Sequence, residues 1–244
     1  MHRFFCDLNL APDHVVALPD AVARHAIGVL RIRAGEAVTL FNGDGAEYPG
    51  VLETSGGKGA TVRLVARLAP ERESPLRVHL AQGISSGERM DYTLQKAVEL
   101  GVAAIQPLLM RRTIVRLSDD KAVRRRTHWQ AVVASACEQC GRNVLPEVAE
   151  IQEFVAWQRG LAAAADTLKL LLDPEGDSNL HDLPPPKSPI LLLAGPEAGF
   201  EPGERKLARA AGFHGLRLGP RILRTETAAV AALAAMQALW GDFR

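Results

Sequence analysis

The chain has 244 residues, with 29 lysines and arginines against 28 aspartates and glutamates, a formal net charge of +1 and a hydrophobic fraction of 47%. That composition supplies one large or two modest cores and excludes a polycation, so any nucleic-acid surface must be a local patch. No apolar run approaches the roughly 20 residues of a membrane span, the first residues lack a signal-peptide core, and the three cysteines cannot all pair internally, so the expected location is a reducing cytoplasm.

Residues 1–70 read as β structure. Residues 25–31 have the pattern of a short amphipathic helix, and Arg24, Arg31 and Arg33 beside it serve either RNA contact or solubility. Residues 37–41 and 47–52 form two strands around Asn42-Gly-Asp-Gly45, a strong turn signal. A second glycine turn, Ser55-Gly-Gly-Lys-Gly59, precedes a strand over residues 60–66. Short strands punctuated by glycine predict a small barrel. The polar, proline-bearing stretch 69–75 marks the boundary of a second domain over 75–244.

Beyond it strands alternate with helices. A strand is expected at 76–82, then a helix carrying Met90, Leu94 and Val98 at helical spacing and stopped by Gly101. A strand at 103–108, a helix from Asp119 to Glu138 ending near Gly141, and strands at 168–172 and 190–194 follow. An alanine-rich helix from about Glu226 to Trp240 closes the chain and can pack tightly against a neighbour. The alternation predicts an α/β fold with a mostly parallel sheet covered on both faces.

Two loops carry the functional signal. The apolar run 190–194 leads into Gly195-Pro-Glu-Ala-Gly-Phe200, and Leu218-Gly-Pro-Arg-Ile-Leu-Arg-Thr-Glu-Thr-Ala228 leads into the last helix. Ligands of α/β proteins bind outside the carboxyl ends of the strands, so the two loops suggest one composite site. The first fits neither phosphate-binding glycine motif, which speaks against a triphosphate or dinucleotide cradle, and by itself it reads equally as a tight turn. Cys137-Glu-Gln-Cys140 has metal or redox spacing, but no second ligand pair exists and it falls late in a helix, so two partly buried thiols are favoured. Glu138, Gln139 and Arg142 read instead as polar groups framing a cleft. The cationic run Lys121-Ala-Val-Arg-Arg-Arg126 reads as a solvated helix face or a phosphate track.

Taken in order, these segments resemble the RsmE-type ribosomal RNA uridine-N3 methyltransferases of the SPOUT class. The resembling residues are Arg3-Phe-Phe5, His25 through Arg31, Gln95-Lys96 with Glu99-Leu-Gly-Val102, Glu138-Gln-Cys-Gly-Arg142, Gly195-Pro-Glu197 with Gly199-Phe200, and Leu218-Gly through Ala228. The resemblance implies a PUA-like RNA-binding barrel over 1–70 and a SPOUT methyltransferase domain over 75–244 whose backbone forms a trefoil knot. It also implies S-adenosylmethionine as methyl donor, a homodimer, ribosomal RNA of the small (16S) subunit as substrate, and no metal. Two departures stand out: Ala198 replaces a usual glycine, and the segment 85–91 lacks a lysine that many relatives carry.

On this resemblance the cofactor-binding residues are Leu172, Leu193 and Ala194 at strand ends, Gly195, Pro196, Glu197 and Gly199 in the first loop, and Leu218, Gly219, Arg221, Ile222 and Leu223 in the second. Methylation at uridine N3 requires loss of the N3 proton and spreads charge onto O2 and O4. Arg224 is the candidate for stabilising that charge, Glu226 the orienter or proton acceptor, and Thr227 a hydrogen-bonding group. Alternatively, Arg224 and Glu226 pair to brace the loop. Arg3, Arg24, Arg31, Arg33 and Arg142 are the RNA-binding candidates. The competing functions are a knotted RNA methyltransferase with another target nucleoside, a non-catalytic RNA-binding protein, and a nucleotide-dependent oxidoreductase.

Overall fold

The computed structural model describes residues 2–56, 59–114, 118–161 and 166–243. They form two compact units, residues 1–73 with 134–145, and residues 74–133 with 146–244.

The first unit is built on β1 (His2–Phe5), β2 (Val15–Ala17), β3 (Ala37–Phe41), β4 (Tyr48–Gly56) and β5 (Gly59–Leu64), ordered β1-β3-β4-β5-β2 in one sheet. β1 runs parallel to β3, and the other pairings are antiparallel. Alternating residues such as Val38, Leu40, Leu52, Val62 and Leu64 are fully buried in its core, as the two-residue period of a strand demands. The turn after β3 is held by its own side chains: Asp44 accepts from the Ala46 N–H at 2.8 Å and the Tyr48 hydroxyl at 2.6 Å. Of the expected turn at 55–59, residues 57–58 lie outside the described residues. Helix α1 (Asp20–Ala23) continues as a π-helical turn over Arg24–Val29 that buries Ala26 and leaves Arg24 exposed, as Arg31 and Arg33 also are.

Arg3 and Arg142 do not fit the RNA-contact expectation. Arg3 is nearly buried, pairs with Glu47, and donates to the Gly141 carbonyl at 3.1 Å and Asn143 Oδ1 at 2.6 Å. Arg142 is buried and donates from Nε (2.9 Å) and Nη2 (2.6 Å) to Glu73. Glu138 accepts from the Phe5 N–H at 2.9 Å. These polar groups therefore bind residues 134–145 to the sheet of this unit rather than framing a cleft. Cys137 is buried nearby, and desolvation pushes its thiol up to about 12, which keeps it protonated and unreactive.

The second unit holds a parallel sheet: β6 (Val78–Gly83), β7 (Ala104–Leu109), β8 (Glu147–Val148), β9 (Gln152–Glu153), β10 (Leu168–Leu172), β11 (Ile190–Ala194) and β12 (His214–Leu216). The order is β12-β10-β11-β6-β7-β8, with β9 on β7. β11 thus lies between β10 and β6, both of which precede it in the chain. Helix α2 (Glu88–Glu99) buries Met90, Leu94 and Val98, and the chain leaves it through Gly101, whose φ of +79° favours glycine. Helix α3 (Asp119–Cys140) is divided between the units, and α4 (Phe154–Gly160) and α5 (Pro202–Ala210) complete the layer before α6 (Thr225–Trp240). The alanines of α6 bring it onto α2. There the buried Gln237 accepts from Ser74 Oγ at 2.8 Å and donates to the Leu100 carbonyl at 2.8 Å. Among the described residues no helix is long and apolar enough to cross a membrane.

Breaking a buried ion pair from one side is expensive. Arg3→Met should therefore lower unfolding free energy by about 3 kcal/mol in urea titrations. Adding Glu47→Gln should recover part of the loss, whereas no loss from the single change would show that the pair contributes nothing.

Candidate functional site

β10, β11 and β12 are parallel neighbours, so their carboxyl ends deliver three loops to one edge of the sheet. The loops enclose a cavity of about 320 Å³, lined by Leu172 to Glu175 after β10, Ala194 to Phe200 after β11, and Leu216, Leu218, Gly219 and Arg221 to Leu223 after β12. Thr225 and Ala228 of α6 and Arg205 of α5 complete the wall. This size and mixed lining suit a small organic ligand.

The backbone of the first loop is held from below. Thr225 is buried, and its hydroxyl donates to the Gly195 carbonyl at 2.6 Å. Gln82, fully buried at the end of β6, donates from Nε2 to Thr225 Oγ1 at 3.1 Å and to the same carbonyl at 3.3 Å. Gly83 lets the loop come this close, because a Cβ there would sit 2.6 Å from the Pro196 ring. The left-handed step of the loop falls on Gly199 at φ +68°. Among the described residues only Asp13 and Arg31 combine a side chain with positive φ, so Ala198 occupies ordinary backbone and its methyl is tolerated. Its carbonyl accepts from Arg112 Nη1 at 3.1 Å.

Carboxylates around the cavity have dedicated donors. One oxygen of Glu197 accepts from the Ser86 N–H and hydroxyl, both at 2.7 Å, and from Arg89 Nη1 at 3.3 Å. Burial opposes ionisation of Glu197, but those hydrogen bonds outweigh it and hold the carboxyl below the usual range. Asp173 is buried after β10, caps the Glu175 N–H at 3.1 Å, and lies 3.7 Å from both Arg205 and Arg209. Glu204 accepts from the N–H groups of Glu201 and Arg111, each at 2.9 Å, fixing the start of α5.

Of the expected cofactor residues, all line the cavity except Leu193, whose side chain is fully buried in the core behind it. Arg224 stands at the N-cap position of α6, exposed, and Thr227 is exposed one turn on. The proposed brace between Arg224 and Glu226 is absent: the cation beside Glu226 is Arg89, 4.0 Å away, and Glu226 Oε2 is buried with no hydrogen-bond partner. Sequence reasoning missed Gln82, Ser86, Arg89, Asp173 and Thr225. An acid directly after a buried apolar strand, as in Leu172-Asp173, was the available signal for one of them. Within the cationic run on α3, Arg126 donates to the Val148 carbonyl at 2.8 Å, while Lys121 and Arg124 are exposed.

A family model described as an RNA methyltransferase domain matches residues 72–237, and one described as an RNA methyltransferase PUA domain matches residues 18–65. A ribosomal RNA small subunit methyltransferase E from Buchnera aphidicola (subsp. Schizaphis graminum) is 30% identical over 240 residues, which is 98% of this chain and 95% of that protein. Among solved structures, a ribosomal RNA small subunit methyltransferase E from Neisseria gonorrhoeae bound to S-adenosyl methionine has 43% identity and a TM-score of 0.92 over 100% of both chains. A putative methyltransferase from Legionella pneumophila in complex with the same cofactor has 40% identity and a TM-score of 0.94, covering 99% of this chain and 98% of its own.

Two measurements probe the local construction. Thr225→Val should cost about 1–3 kcal/mol, because it leaves the Gly195 carbonyl short of a donor, and Thr225→Ser should keep most of that. Glu197 has a folded-state pKa below its unfolded value of about 4.3, so its contribution is complete above that value and is lost as pH falls through the folded pKa. Melting temperatures of the native chain and Glu197→Gln should differ by a constant amount between about pH 5.5 and 7.5 and converge only below about pH 4. A difference that shrinks already between pH 7 and 6 would contradict this.

Proposed function

The chain belongs to the RNA methyltransferase family, and we propose that it transfers a methyl group from S-adenosylmethionine to N3 of a uridine in small-subunit ribosomal RNA. The observation that carries this is the cavity formed by the loops after β10, β11 and β12, of which the last two are the glycine loop and the arginine-threonine segment singled out in the sequence. The relatives bound to S-adenosyl methionine share the fold along the whole chain, which supports that cofactor here.

The residues present fit it. Leu172, Ala194, Leu218 and Ile222 offer apolar walls for a purine, the backbone of the two loops offers donors and acceptors, and Gly195 has no Cβ to crowd the ring of Phe200, 3.0 Å from where one would stand. When bound, S-adenosylmethionine supplies an electrophilic methyl carbon. The chain must then hold the acceptor in line, exclude water, and manage the N3 proton. Arg224, exposed and unpaired among the described residues, stabilises the charge on O2 and O4. Glu226, with one buried carboxylate oxygen awaiting a donor, orients or accepts the N3 proton, and Thr227 adds a hydrogen bond.

The first unit binds RNA through Arg24, Arg31 and Arg33, whose side chains are exposed on one stretch of chain. The proposal extends to a trefoil knot, supported by the insertion of β11 between two earlier strands. It also includes a homodimer, for which exposed Leu239 in the last turn of α6 and Phe243 just beyond it offer apolar surface, action on RNA within the assembled small subunit, and a cytoplasmic location.

Incubation with labelled methyl donor and unmodified small subunits should yield 3-methyluridine, while a methylated ribose or guanine would replace the uridine assignment. S-adenosylmethionine should raise the melting temperature and NADH or ATP should not. Arg224→Ala should slow single-turnover transfer by about a hundredfold with cofactor affinity retained, and Arg224→Lys should recover only part, lacking the planar fork. A normal rate in Arg224→Ala would remove it from the chemistry.

A further inference from the structure

Arg89 lies in the first turn of α2, outside the three loops that form the cavity. Its Nη1 is 3.3 Å from Glu197 Oε1, in the loop after β11, and its Nε is 4.0 Å from Glu226 Oε1, in the first turn of α6. The two carboxylate side chains are each 17% exposed. One guanidinium thus addresses, through separate nitrogens, an acid on each of the two walls.

We propose that Arg89 is a positioning residue for the methyl transfer, clasping Glu197 and Glu226 so that the glycine loop and the start of α6 keep one arrangement around the cavity. The inference rests on the functional reading above. Ion pairs between fully exposed side chains contribute little, but these two carboxylates are largely withdrawn from water and therefore need a counter-charge. Glu197 also has the Ser86 N–H and hydroxyl. Among the described residues Glu226 has no other cation within 4.0 Å, and its second oxygen has no hydrogen-bond partner. Without Arg89 the two acids lose their common cation and repel each other. The wall carrying Glu226 is then displaced, although nothing that touches the cavity has been removed.

The test compares Arg89→Ala, Arg89→Lys and the double variant Arg89→Ala/Glu226→Gln by calorimetric S-adenosylmethionine affinity, single-turnover rate and melting temperature. Arg89→Ala should weaken cofactor affinity about tenfold and slow transfer further. Arg89→Lys should recover part of both, since an ammonium supplies the charge but not two separately directed nitrogens. The double variant should regain affinity to within about threefold while its rate stays low, because the surplus charge is gone and so is the Glu226 carboxylate. A merely structural role would move stability, affinity and rate together and gain nothing from the second change. Native-like affinity in Arg89→Ala, or no rescue of affinity by Glu226→Gln, overturns the proposal. If Arg89→Ala fails to fold, Arg89→Gln keeps the stem without the charge, and native-like affinity in it overturns the proposal equally. Failure of the native chain to bind S-adenosylmethionine would instead defeat the functional reading on which the clasp rests.

Discussion

The Gly195 carbonyl emerges at the end of a strand hemmed in by two parallel neighbours, where the sheet offers it no further partner. Thr225 supplies the missing donor at 2.6 Å, with the Gln82 amide behind it. A carbonyl largely withdrawn from water and left unpaired would cost up to about 1–3 kcal/mol, so the start of α6 is drawn to the end of β11. The segment from 217 to 224 must then pass over the sheet edge to reach that point, and in doing so it becomes the opposite wall of the cavity. The site is thus a consequence of satisfying one backbone oxygen. The glycines keep it open, and the loops follow the strands that deliver them.

A net charge near zero conceals a division of labour among the cations. In the first unit Arg3, Arg72 and Arg142 face Glu47 and Glu73, and this polar cluster attaches residues 134–145 to the β-sheet. Burial makes the pairs of Arg3 and Arg142 structural, because a desolvated guanidinium committed to a carboxylate has little left for a phosphate. Arg24, Arg31 and Arg33 remain in water, where they can meet a polyanion. In the second unit the acids Asp173, Glu197 and Glu204 each accept backbone N–H bonds near the start of a loop or helix. Charge there is used to set backbone conformation.

The Cys137-Cys140 pair illustrates how context decides a motif. Its spacing suits a metal or a redox couple, but the helix turns Cys137 into the core, where it donates weakly to the Val144 carbonyl at 3.8 Å. Desolvation holds the thiol protonated, and a protonated, enclosed sulfur neither ligates nor attacks. The neighbouring Glu138 and Arg142 follow the same logic, facing the first unit's own backbone and Glu73.

What the chain determined locally was legible without coordinates. Strands at 37–41, 168–172 and 190–194 coincide with β3, β10 and β11, because short apolar runs bounded by polar, glycine or proline residues have few other solutions. The helix with Met90, Leu94 and Val98 and its glycine stop, and the two cavity loops, were equally explicit. Shorter elements such as β8, β9 and β12 were not, since two or three residues carry no period and exist only through pairing with a neighbour. The partners of charges were also hidden. Arg224 and Glu226 are two residues apart and invite pairing, yet the cation beside Glu226 comes from α2, more than a hundred residues earlier in the chain (numbers 89 and 226). Sequence spacing fixes which side chains share a helix face. Only the packing of α2 against α6 and the order of the parallel strands decide which distant charges meet, because those distances are set by the whole sheet.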